Sequence, residues 1–102
     1  MSVSGPAVRA HDEAEATRLV KILLEELGMP EGRVALSGRA KWQREKSLIC
    51  WIVRKRTGVS NGWLADCLSM GHVSRVTRSL RRVREAKGLL VDAEGIEKML
   101  EI

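Results

Sequence analysis

The chain of 102 residues contains no tyrosine and no phenylalanine, only three tryptophans, two cysteines and two prolines. Without tyrosine there can be no tyrosyl nucleophile, no phosphotyrosine regulation and no phenolic hydrogen bond at a site. Cys50 and Cys67 lie in apolar surroundings with no CxxC and no Cys/His pairing, so they read as reduced core residues of a cytosolic protein. The histidines, His11 and His72, have no imidazole, thiolate or carboxylate at ligand spacing. That argues against zinc or any other metal, and no cofactor is expected. The longest uncharged apolar stretch, Leu48 to Val53, is far below a membrane span, and the first ten residues lack an apolar core of signal-peptide length. A soluble, untargeted cytoplasmic protein is expected.

Basic residues, by contrast, are abundant and unevenly placed. The net charge is +5, but residues 39–56 carry seven basic side chains against one acidic, and residues 72–88 carry six against one. Residues 57–71 hold only Asp66. The ends are acidic, six against four over residues 1–38 and four against one over residues 89–102. Two basic blocks between acidic ends suit a surface that meets a polyanion, and equally a pair of solvated helical faces. The length allows one domain with a modest core, because a chain of this size buries roughly 60–70% of its unfolded surface.

Helical periodicity runs through most of the chain. Residues 1–8, with Ser, Gly and Pro and no periodicity, read as a flexible lead-in to a single helical domain over 9–102. From about Asp12 to Leu27, Ala16, Leu19, Val20, Leu23, Leu24 and Leu27 recur at three- and four-residue steps, and Gly28 with Pro30 stops the helix. A loop over 28–38 follows, in which Val34 and Leu36 are candidates to tuck inward. A second helix from Arg39 or Ala40 to Arg56 places Trp42, Ile49, Cys50, Ile52 and Val53 in one broad arc, as a central helix would. Arg44, Ser47, Trp51, Arg54 and Lys55 fall opposite. Trp51 among these basic residues is either a packing contact or an aromatic platform. Ser60 is a good N-cap for a short helix from Asn61 to about Ser69, and Met70-Gly71-His72 makes a tight turn. A fourth helix from Val73 to about Lys87 aligns Val73, Val76, Leu80 and Val83, with Arg75, Arg78 and Arg82 opposite and Ser74 and Arg81 on the flank. Gly88 is expected to close it, and a last helix to run from about Asp92 to Leu100. No strand-like alternation and no internal repeat is present.

The expected fold class is therefore all-α, four to five helices around a central helix-turn-helix. A short helix rich in small and apolar residues (Leu64, Ala65, Leu68), a tight turn with glycine, and an arginine-faced helix are what that motif requires. Ser74, Arg75 and Arg78 in the leading turns are the candidate base contacts, since arginine binds guanine bidentately. Lys41, Arg44, Arg54, Lys55, Arg56, Ser60, His72, Arg81 and Arg82 are the candidate backbone contacts. Arg84 and Lys87, in the last turn, are explained by the helix dipole. Arg75 and Arg78 oppose the dipole, so something else must favour them. His72 is an N-cap surrogate or a phosphate contact, with Ser74 an equally good cap.

Lys46-x-x-Ile49-Cys50, Arg54-x-x-Thr57 and Ser60-x-x-Trp63-Leu64-Ala65-x-x-Leu68-x-Met70-Gly71, followed by Val76, carry a resemblance. This stretch resembles the C-terminal helical region of bacterial REP-associated tyrosine transposases, and more loosely the DNA-binding end of replication initiators and the Trp-repressor-like helix-turn-helix group. The likeness spans roughly residues 14–88 and is strongest over 46–76. It implies a DNA-associating module. Such transposases also need a His-hydrophobic-His metal motif and a tyrosine, both lacking here, so the catalytic half is not implied.

The sequence thus predicts a non-enzymatic, nucleoid-associated DNA-binding protein, recognising duplex or palindromic hairpin DNA, with no membrane or small-molecule partner and with a homodimer open. A small transcriptional regulator is one variant. The rival is an assembly module whose basic helices dock an acidic partner, or the acidic ends of a second copy. Structured RNA ranks lower, because its A-form major groove is too narrow for a helix.

Overall fold

The computed structural model describes residues 6–30, 32 and 42–100 and contains, among them, five α-helices and no strand. The helices are α1 (Pro6–Glu26), α2 (Gln43–Arg56), α3 (Asn61–Cys67), α4 (Val73–Glu85) and α5 (Lys87–Met99). The all-α expectation is met.

Helix α1 starts earlier than Asp12. Proline at a first helical position loses no hydrogen bond and has its φ preset, so the helix takes in residues 6–8 of the expected lead-in. Ala16, Leu19, Val20, Leu23 and Leu24 are buried as their spacing requires. Gly28, at φ +68, stops the helix: Gly28 N–H donates to the Glu25 carbonyl at 3.1 Å and Met29 N–H to the Leu24 carbonyl at 2.8 Å. This double bond pattern closes a helix through a left-handed residue, and buried Met29 and Leu24 add the accompanying apolar contact. Val34, Leu36 and Arg39–Lys41 lie outside the described residues, and the second helix, expected from Arg39 or Ala40, begins only at Gln43, because Trp42 before it is left-handed at φ +65 and so stands outside the helix.

Helix α2 is the hub. It packs against α1, α4 and α5, and half of its fourteen residues are buried. Ser47, expected on the solvent side, is fully buried. Its hydroxyl donates to the Gln43 carbonyl at 2.8 Å, so the side chain enters the core with its polar group already satisfied. The Cys50 thiol meets Met70 Sδ at 3.7 Å, and burial pushes its pKa up to about 12, leaving it a neutral packing group.

The segment from α3 to α4 is a helix-turn-helix arrangement. Ser60 caps α3, its hydroxyl accepting from Trp63 N–H at 3.0 Å. The helix ends at Cys67, two residues sooner than expected, because Ser69 turns left-handed at φ +51. Ser69 N–H donates to the Asp66 carbonyl at 3.3 Å and Met70 N–H to the Ala65 carbonyl at 2.8 Å, the same closure as at the end of α1. Leu64, Ala65, Leu68 and Met70 are buried in the joint.

At the far end of α4 the expectation fails. Gly88 does not close α4 but lies inside α5, which begins at Lys87 rather than Asp92. The break is Ala86, at φ −99 and ψ 103: its N–H closes α4 on the Arg82 carbonyl and its carbonyl opens α5 to Leu90 N–H. The gain is burial, since the turn brings Leu89, Leu90, Ala93, Ile96 and Leu100 onto the core at helical spacing. The radius of gyration is 13.3 Å, close to the value of about 13 Å for a hundred-residue domain.

Candidate nucleic-acid interface

The orientation of α4 decides what its arginines can reach. Val76, Ser79 and Val83 are buried and Leu80 partly so, whereas Val73 is 42% exposed. The buried stripe is therefore rotated by roughly 40° from the expected one, at about 100° per residue. Val73 leaves the core and Ser79 enters it. The outward pole falls on Ser74 and Arg78, with Arg75 and Arg82 on one shoulder and Arg81 and Arg84 on the other. All six are exposed.

The start of α4 is held by His72, whose Nδ1 accepts from Ser74 N–H at 3.1 Å and lies 2.9 Å from the Ser74 hydroxyl. Of the two candidate caps, His72 is the one used. An Nδ1 that accepts this N–H cannot itself carry the proton, so the neutral ring keeps its N–H on Nε2, the outer nitrogen.

The candidate backbone contacts divide sharply. Arg44 pairs with Asp92. Lys55 Nζ and Arg56 Nε meet the two oxygens of Glu97 at 3.1 and 3.0 Å. Arg54 donates to the Val59 carbonyl and so fastens the end of α2 to the linker. Ser60 is spent as a cap. Gln43, with its amide oxygen toward α4, accepts from Arg82 Nη2 at 2.9 Å. Lys41 lies outside the described residues. Among the described residues, Arg75, Arg78, Arg81 and Arg84 make no ion pair.

Two titrating groups mark the contrast. Burial would push the Glu97 carboxyl up, but hydrogen bonds from Lys55 and Arg56 and their charges together hold it below the usual carboxylate range. Lys46 is buried at 5% exposure under α4. Desolvation lowers its pKa, and the charge of Arg75 acts in the same direction.

Beside the second shoulder of α4 runs an open groove of about 560 Å³. Trp51, Arg54 and Lys55 of α2 form one wall. Thr77, Leu80, Arg81 and Arg84 of α4 form the other. Trp51 is half-buried and packs on the core, as the packing reading expects, and it also lines this groove. The sequence reasoning missed Arg84 and Thr77 here, although Thr77, Leu80, Arg81 and Arg84 follow each other at helical spacing. It also missed Asp92 and Glu97 as the partners of α2, although complementary charge in the C-terminal segment was a signal.

Among the described residues there is no group of three or more side chains able to hold a metal ion, and no helix is long and apolar enough to cross a membrane. Compared with family models, curated proteins and solved structures, the chain has no match in any of the three.

Proposed function

We propose that the chain is a sequence-selective DNA-binding module that lays α4 in the major groove, a non-catalytic relative of the transposase-associated region it resembles and nucleoid-associated in the cell. The observation that carries this reading is that Arg75, Arg78, Arg81 and Arg84, on an exposed helix, make no ion pair among the described residues, in a chain with acidic residues enough to pair them. Unpaired arginines on one short helix repel one another, and a polyanion relieves that repulsion. Ser74, Arg75 and Arg78, in the first turns of α4, are assigned to base edges, and Arg81, Arg82 and the outer nitrogen of His72 to phosphates. Arg44, Arg54, Lys55 and Arg56 rank as weaker phosphate contacts, since each is already engaged. Lys41 stays a candidate on charge alone.

The rival assembly reading loses its clearest foothold. Asp92 and Glu97, acidic groups offered to a second copy, are engaged within the same chain.

Fluorescence-anisotropy titrations of the full chain with a selected duplex, across salt, test the proposal. Arg75→Ala or Arg78→Ala should lose about 1–3 kcal/mol on the preferred sequence and flatten its advantage over random duplex. Arg81→Ala should weaken all duplexes alike and reduce the salt slope by about one. Absence of duplex or hairpin binding at low salt would overturn it.

A further inference from the structure

The groove beside α4 has a composition that duplex phosphates alone do not call for. Its half-buried floor is Trp51 and Leu80, its exposed rim carries four cations, and no carboxylate lines it among the described residues. Two of the cations are partly committed, Arg54 to the Val59 carbonyl and Lys55 to Glu97. Arg81 and Arg84 are not. The Thr77 hydroxyl accepts a long hydrogen bond from Asn61 Nδ2 at 3.5 Å and keeps its own proton to donate. The lining thus offers a flat π surface, hydrogen-bond donors and positive charge, a combination that fits an occupant with a planar apolar part and an anionic part close together.

A docked peptide fits less well. An amphipathic helix needs a row of apolar pockets for anchors at successive turns, whereas this floor is only two side chains long. An extended peptide needs a free strand edge, and the described residues form no strand. A nucleotide meets both requirements at once, because its base stacks on an indole while its phosphate reaches a guanidinium.

On the premise that the chain binds DNA, we infer that this groove takes an unpaired nucleotide, with its base on Trp51 and its phosphate between Arg81 and Arg84. The preferred ligand is then a duplex that carries a single-stranded stretch beside the site read by α4. Stacking tolerates any base, so no base preference is implied for the groove.

The experiment titrates the full chain with three labelled DNAs: a blunt duplex, the same duplex with a single-stranded oligothymidine overhang, and that duplex with an abasic overhang, which keeps the phosphates and lacks the bases. The oligothymidine overhang should bind about 5- to 150-fold tighter than the blunt duplex, with the abasic one in between. Trp51→Ala should remove the advantage of bases over abasic sites and leave the blunt duplex unchanged, while Trp51→Phe keeps most of that advantage. Should Trp51→Ala fail to fold, Trp51→Leu, which keeps an apolar group in place and removes the stacking surface, should likewise abolish the advantage of bases over abasic sites with blunt binding unchanged.

Equal affinity for the oligothymidine and abasic overhangs would overturn the inference. So would displacement of the overhang DNA by an oligo-glutamate peptide bearing one aromatic residue, at concentrations that leave the blunt duplex bound. A blunt duplex that binds, with no gain from either overhang, defeats the groove and spares the duplex reading. Overhang binding without blunt binding does the reverse, and failure of all three DNAs defeats both.

Discussion

Helices α2 and α4 come from sequence blocks of nearly equal positive charge, yet they put that charge to opposite uses. Along α2 the cations are consumed: Arg44 on Asp92, Lys55 and Arg56 on Glu97, Arg54 on a carbonyl, Lys46 in the core. Along α4 four arginines are exposed and, among the described residues, have no carboxylate partner. The difference comes from α5, whose acidic residues fold back over α2 and reach no arginine of α4. Net charge per segment therefore measures how much charge a helix has, and only the tertiary neighbours decide how much it can offer.

The most forceful way to break this contrast is Glu97→Lys. Glu97 is only 14% exposed between Lys55 and Arg56, so reversal removes two charge-assisted hydrogen bonds and adds a like charge. A loss of about 2–3 kcal/mol is expected in urea unfolding, below the cost at a fully buried pair because Lys55 is itself half exposed. In the folded fraction the freed Lys55 and Arg56 should steepen the salt dependence of duplex binding, bringing α2 closer to α4. Acid tests the same contact. Because the folded Glu97 binds its proton less readily than the unfolded one, its contribution is complete above the unfolded pKa of about 4.3 and disappears as pH falls through the lower folded value. Stability of Glu97→Gln, followed by thermal melts from neutral pH to below that range, should fall less steeply than that of the parent.

Smaller changes sharpen the α4 side. His72→Ala should cost about 1 kcal/mol through the lost cap, and His72→Asn should restore most of it. Arg44→Ala, at an exposed pair, should change stability by about 0–1 kcal/mol and the duplex salt slope by less than Arg81→Ala does. Ser69→Gly should raise stability by about 0.5–1 kcal/mol in denaturant unfolding, since only the left-handed backbone is altered and glycine adopts it without strain.

Where side-chain periodicity and backbone chemistry coincide, the architecture was legible from the residues. Leu19, Leu23 and Leu24 with Gly28 marked α1 and its end, and Ser60 marked the start of α3. The failures share one cause, the competition between local preference and burial. Gly88 is a poor helix former and Ala86 the best of all, yet the chain breaks at Ala86 and continues through Gly88, because only that choice buries Leu89, Leu90 and Ala93. Ser47 is polar but supplies its own hydrogen bond, so the core admits it. At the candidate site, the arginines of α4 were recognisable from their positions on one helix. Their availability was not, since it depends on where Asp92 and Glu97 arrive, which no spacing within residues 72–88 encodes.

The backbone angles of Ala86 also set the length of the molecule. Helices α4 and α5 have thirteen residues each, so with Ala86 in helical conformation they would join into one rod of about 40 Å, at about 1.5 Å per residue. That rod alone would match the longest dimension of the whole fold, 41 Å, and its second half would carry its apolar stripe into water. A single extended ψ thus folds a lever in two. The half that would have swung free becomes a brace across the hub, and α4 is anchored at both ends.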